Sequence, residues 1–223
     1  MSMTRKRSLD DFVPVFKGKM AKYSKFIIKT LAINGKSTTW DIAKSYDKSA
    51  TYHEVRSTCT MCHRLIEGRR RKDGSRSLGL QALGYVKRVG NTEKGGAVYS
   101  ITRKGRLAAL LILSKSDLPA FLSLVPYKEP GPRTFLSVLR IFYEKGVSLD
   151  FLQELVSAIQ VSLRQQFKDL ERDELLVELA LEKAVHQKVN DLDKDGKFLY
   201  EIGYTYDLLN LMGMGGWNPP DSD

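Results

Sequence analysis

The chain has 223 residues, 42% of them hydrophobic, and carries 36 Lys and Arg against 26 Asp and Glu, for a formal net charge of +10. That length suffices for one large domain or two ordinary ones, each with its own core. Two cysteines without a disulfide-rich spacing, and no N-terminal apolar signal segment, exclude a disulfide scaffold and predict a reducing, cytoplasmic setting.

The charge is distributed unevenly. Residues 1–116 hold 25 Lys and Arg against 8 Asp and Glu, whereas residues 117–223 hold 11 against 18. A basic half joined to an acidic half fits a nucleic-acid-binding module with an appended domain of different purpose. Residues 1–18, with Arg5-Lys6-Arg7, Asp10-Asp11 and Pro14, are expected to be a flexible basic arm. Lys22 to Ile33 places Phe26, Ile27, Thr30 and Leu31 at helical spacing and stops at Asn34-Gly35. Ser37-Thr38-Thr39 offers a cap for a short helix, Trp40 to Tyr46, and Asp47-Lys48-Ser49 turns into a third helix.

That third helix is the centre of the reading. At helical spacing Val55, Cys59, Cys62 and Ile66 fall on one side, and Arg56, Ser57, Thr60, His63 and Arg64 on the other. A cationic, hydroxyl-bearing face suits a DNA major groove, where Arg can fork onto a guanine edge and Ser or Thr can serve base or phosphate. Downstream, Leu83 to Val89 and Ala97 to Ile101 are β-rich runs around a Gly-containing tip, Gly90 to Gly96, and read as a hairpin. Thr102 then caps a helix through Lys104, Leu107, Leu110 and Leu111.

Thr38-Thr39-Trp40-Asp41-Ile42-Ala43, Leu83-Gly84-Tyr85-Val86-Lys87-Arg88 and Tyr99-Ser100-Ile101-Thr102-Arg103-Lys104-Gly105 resemble winged helix-turn-helix domains of prokaryotic, especially archaeal-type, transcription regulators. The resemblance covers roughly the first half of the chain. It implies that the third helix reads the major groove while the hairpin, as the wing, touches backbone or minor groove. Tyr52, His53, Arg56, Ser57, Thr60 and Arg64 would then face the duplex, with Lys87, Arg88, Asn91 and Lys94 supporting from the wing. The sequence departs from the family where Arg69-Arg70-Arg71-Lys72-Asp73-Gly74-Ser75-Arg76 separates recognition helix from wing, and a cationic loop beside the DNA is expected there.

The second half has no strand pattern. Asp117 to Val125 continues helically, and residues 117–132, ending in the Pro- and Gly-rich run 126–132, are expected to link the halves. Four helices should follow, at Arg133 to Lys145, Leu149 to about Lys168, about Asp169 to Asn190 and about Lys197 to Met212. Leu175, Leu179, Glu182, Val185 and Val189 lie along one side of the third of these, with Leu176 and Ala180 widening a stripe suited to a bundle core or a dimer seam. The expected fold is therefore mainly α with a small β-hairpin wing: an N-terminal winged helix-turn-helix (19–116) and an all-α domain (133–223) for dimerisation or effector sensing.

Three signals tempt. Cys59-Thr60-Met61-Cys62-His63 matches a haem-attachment string, but export and an exposed segment would be needed, and a zinc site lacks a second pair. Two small buried hydrophobes is the preferred reading. Asp191-Leu192-Asp193-Lys194-Asp195-Gly196 resembles the opening of a calcium loop, yet its twelfth position is Ile202 and Glu201 sits one place early. Tyr200, Tyr204, Tyr206 and Trp217 could line a small-ligand pocket, but nothing in the sequence assigns an effector. No phosphate-binding loop, G-x-S-x-G elbow or H-E-x-x-H appears, so neither enzyme activity nor a cofactor nor a metal is expected. Sequence-specific binding of double-stranded DNA by a homodimer is the function the sequence favours, with a winged-helix module for protein or RNA partners as the alternative.

Overall fold

In a computed structural model, residues 13–70, 76–126, 135–166 and 187–188 are described. The chain divides into two compact units, 1–114 and 115–223. The described residues are mostly helical, with seven α-helices and a small three-stranded antiparallel sheet. No helix among them is long and apolar enough to cross a membrane.

The first unit begins earlier than its expected boundary. Val13 and Phe16 are fully or almost fully buried around a 3-10 turn, Pro14–Phe16, that packs on helix α1 (Ala21–Asn34). Residues 13–16 of the expected flexible arm are therefore packed, because burying Val13 and Phe16 against α1 outweighs the cost of ordering this stretch. Residues 1–12 of that arm lie outside the described residues. After α1, strand β1 (Ser37–Thr38) leads into α2 (Thr39–Tyr46). Thr38 serves both elements. Its hydroxyl accepts from Asp41 N while its own N–H donates to the Asp41 carboxylate at 3.0 Å, a reciprocal cap.

Helix α3 (Tyr52–Glu67) follows a short turn and packs on α2, with Val55, Cys62 and Ile66 buried. Two short strands, β2 (Arg69–Arg70) and β3 (Arg76–Ser77), pair antiparallel where a cationic loop was expected. Strands β4 (Val86–Asn91) and β5 (Ala97–Ile101) form the anticipated hairpin, starting at Val86 rather than Leu83, and β1 joins the far edge of β5. Helix α4 (Arg103–Leu110) closes the unit against α1, capped by Thr102, whose hydroxyl accepts from Gly105 N at 3.1 Å. The core is built from Ile27, Ile28 and Leu31 of α1 with Ile42, Ile66, Tyr99, Leu107 and Leu110.

The second unit holds a 3-10 turn (Lys115–Asp117), α5 (Leu118–Ser123), α6 (Phe135–Glu144) and α7 (Leu149–Gln166). Leu118, Phe121, Leu122 and Val125 are buried, and α5 packs on α6. Residues 117–126 are thus part of a packed unit and not a linker, because their apolar side chains recur at helical spacing. Helix α6 ends near Gly146 and Ser148 caps α7 through Phe151 N, as the sequence indicates. Residues 127–134, the helix expected at 169–190 apart from residues 187–188, the helix expected at 197–212, the stripe of Leu175, Leu179, Val185 and Val189, the 191–196 loop and the aromatics from Tyr200 onward lie outside the described residues.

How α3 ends is set by two glycines. Gly68 has φ +86, and a Cβ there would stand 2.2 Å from the Ser77 carbonyl oxygen. A Cβ on Gly79 would stand 2.3 Å from both Gly68 N and the Ile66 carbonyl oxygen. The two backbones cross at a distance only glycine permits. Replacing Gly79 with Ala should cost about 1–3 kcal/mol through backbone displacement. Each kcal/mol should lower the melting temperature by about 4–8 °C in a domain of this size. Thermal unfolding followed by circular dichroism would show it.

Candidate nucleic-acid interface

The geometry of the candidate site begins with what α3 must bury. Val55, Cys62 and Ile66 supply the inward stripe, each worth on the order of 1–3 kcal/mol of burial. Cys59, half-buried, turns to α2 and its thiol donates to Thr39 Oγ1 at 3.4 Å. At the N-terminal end the Thr51 N–H and hydroxyl both donate to the Glu54 carboxylate at 2.7 Å, which holds that carboxyl below its ordinary pKa. At the C-terminal end the Tyr99 hydroxyl of β5 donates to Glu67 at 2.6 Å. Burial, and then that bond to Glu67, push the Tyr99 phenol well above its usual value, while the nearby Arg88 charge pulls it partly back.

With one side and both ends fixed, the rest of the helix is open. Tyr52, His53, Arg56, Ser57, Thr60, His63 and Arg64 are all exposed, Tyr52 by 63%. Going round the helix they form two neighbouring strips. Tyr52, Arg56 and His63 lie toward α2, where the Trp40 ring stands 5.5 Å from that of Tyr52 and His53 packs edge-on at 5.9 Å. Ser57, Thr60 and Arg64 lie toward the β2–β3 hairpin and share a groove with Arg69. Of the expected cationic loop, the side chain of Arg70 and all of Arg71 lie outside the described residues.

The β4–β5 hairpin separates residues that the sequence groups together. Lys87 pairs with Ser100 and Arg88 with Tyr99, so successive side chains leave opposite faces of the ribbon. A bulge between Arg88 and Gly90 then inserts Val89 as an extra residue. Without it, Arg88 and Asn91, three apart, would point to opposite faces. With it, both share the face of Tyr99, and Arg88 Nη2 donates to Asn91 Oδ1 at 2.5 Å. Arg88 and Asn91 are therefore brought toward the Glu67 end of α3, and Lys87 is not. Lys94, at the exposed tip, lines a cleft of about 580 Å³ with Thr39 and Trp40 at the start of α2.

Four contributors are absent from the site that the sequence indicates. Trp40 is 36% exposed although it is a tryptophan. Its signal is angular, since it lies about 160° from Ile42 around α2 at 100° per residue. Glu54 and Glu67 orient the helix, and the former is visible as the Thr-x-x-Glu cap Thr51 to Glu54. Ser77 fixes the base of the small hairpin, accepting from Arg69 N at 2.9 Å and donating to Arg69 O at 3.1 Å.

The cysteine string shows why its ligand chemistry is unattractive. Cys59 faces Thr39, Cys62 is buried, and His63 is exposed on a different side. Among the described residues no three His, Cys, Asp or Glu side chains gather as a metal cluster. Burial, with the neighbouring Cys59 adding to it, pushes the Cys62 thiol up to about 12. In the native protein at neutral pH an aromatic disulfide reagent should titrate Cys59 alone, with Cys62 reacting only after denaturation. Equal reaction of both thiols in the native state would contradict the anchoring of α3 through this face. Comparison of the chain with protein-family models, curated proteins and solved structures finds no match to any of them.

Proposed function

We propose that the first unit is a winged helix-turn-helix and that the protein binds double-stranded DNA in a sequence-specific way as a transcription regulator. In this reading α2 and α3 are the helix-turn-helix, α3 is the recognition helix and β4–β5 is the wing. One observation carries the reading: α3 is fastened by its apolar side and by both ends. Its remaining surface offers Arg56, Ser57, Thr60, His63 and Arg64, and its two exposed carboxylates, Glu54 and Glu67, are engaged by Thr51 and Tyr99. The cations and hydroxyls of such a face can donate to guanine edges and phosphates. The uneven charge supports the same conclusion, since the surplus of Lys and Arg lies in residues 1–116.

The other groups take secondary roles. Arg88, held by Asn91, and Lys94 at the tip would contact backbone oxygens, and Arg69 would do so from the opposite side of α3. Tyr52 with Trp40 offers apolar surface to a thymine methyl group at the start of the recognition helix. One winged helix covers only a short stretch of duplex. A homodimer on two-fold related half-sites, working in the cytoplasm, completes the proposal.

The test starts with duplexes selected from a random pool by the wild-type protein. Arg56→Ala and Arg64→Ala should each weaken binding to the selected duplex by about 1–3 kcal/mol and weaken a random duplex much less, as measured by fluorescence anisotropy. Equal losses on both duplexes would reduce these side chains to phosphate clamps.

A further inference from the structure

Between α3 and the β2–β3 hairpin runs a groove of about 550 Å³, within the range of small-ligand sites. Its floor is apolar: Met20 from just before α1, and Met61 and Leu65 from α3. Met20 is 39% exposed, a large unbranched apolar side chain left uncovered. Its rim is cationic and hydroxylic. Arg64 and Arg69 line it with Ser57 and Ser77, and among the described residues no acidic side chain does. Among the described residues neither guanidinium has a hydrogen-bond or ion-pair partner, so ten N–H donors of two fixed charges stand over an apolar trough.

We propose that this groove is a binding site for a small organic anion, a carboxylate or phosphate joined to an apolar group, and that its occupancy excludes DNA by engaging Arg64. The first half follows from the chemistry of the walls. Bidentate guanidinium pairing fits the planar or tetrahedral anion, and the flexible thioethers and Leu65 fit the apolar part. A DNA strand would satisfy the two arginines but would leave Met20, Met61 and Leu65 without a matching surface. The second half rests on the DNA-binding reading above, since the Arg64 fork cannot hold a ligand anion and a guanine edge at once. The ligand then acts as an inducer, releasing the duplex by direct competition and not through a distant domain.

The experiment uses the full chain and anilinonaphthalene sulfonate, an aromatic anion whose fluorescence rises in apolar surroundings. Wild-type protein should bind it saturably at one site, and N-phenylnaphthylamine, the uncharged analogue, should bind far more weakly. Arg69→Ala should weaken the sulfonate about tenfold, the loss of one charge-assisted contact. Arg69→Lys should retain part of that loss, and Ser57→Phe, which fills the groove from an exposed helix position, should abolish binding. Equal affinity for the neutral analogue, or binding unchanged in both Arg69→Ala and Ser57→Phe, would overturn the site. Selected duplex should displace the dye. Dye binding that survives saturating duplex would overturn the competition while leaving the site. Failure of the protein to bind duplex would instead remove the DNA reading, with the dye result intact.

Discussion

A sixteen-residue helix cannot bury its whole circumference in a domain of this size, and what it leaves out decides what the unit can touch. In α3 the division is sharp. Val55, Cys62 and Ile66 go inward, and the cations and hydroxyls go outward. What makes the outward side more than a solvated face is how firmly it is aimed. Thr51 and Glu54 close the start, Glu67 is tied to Tyr99 of the sheet, and the Gly68–Gly79 crossing stops the helix at Glu67. A side chain held on such an element reaches a partner at little ordering cost.

The small sheet extends this constraint. Strand β1 couples the cap of α2 to β5, and β5 carries Tyr99, so the helix pair and the hairpin are registered to one another through three residues. The Val89 bulge then decides which hairpin side chains join the α3 surface. It brings Arg88 and Asn91 together and leaves Lys87 on the other side of the ribbon. The structure thereby distinguishes cations that the sequence lists as equivalents.

The stripe of α3 was legible because a period of 3.6 over sixteen residues admits one inward direction, and α1, α2, α4, α6 and α7 were legible for the same reason. What escaped depends on partners distant in sequence. Ser37–Thr38 reads as a cap, and nothing local says that it also pairs with Val98 and Tyr99. The bulge exists only in relation to the opposite strand. Arg69 to Arg76 reads as a loop because charge dominates its composition, while the pairing of Arg69–Arg70 with Arg76–Ser77 rests on Ser77 and two glycines. Val13 and Phe16 sit in a polar terminus that reads as an arm, and Leu118 to Val125 read as part of a linker because Pro126 to Pro132 follows. Of the candidate site, the residue types on α3 were readable, whereas its division into an aromatic strip and a groove required the neighbouring elements.

The central claim is that the polar side of α3, with the surplus positive charge of its unit, meets the polyanion of a duplex. Its most direct measurement is the affinity of the full chain for duplex DNA across a salt series. If six or so phosphates are neutralised, affinity should fall by about three orders of magnitude between roughly 50 and 200 mM salt, linearly in the logarithms. No binding at the lowest salt, or binding indifferent to salt, would contradict the account.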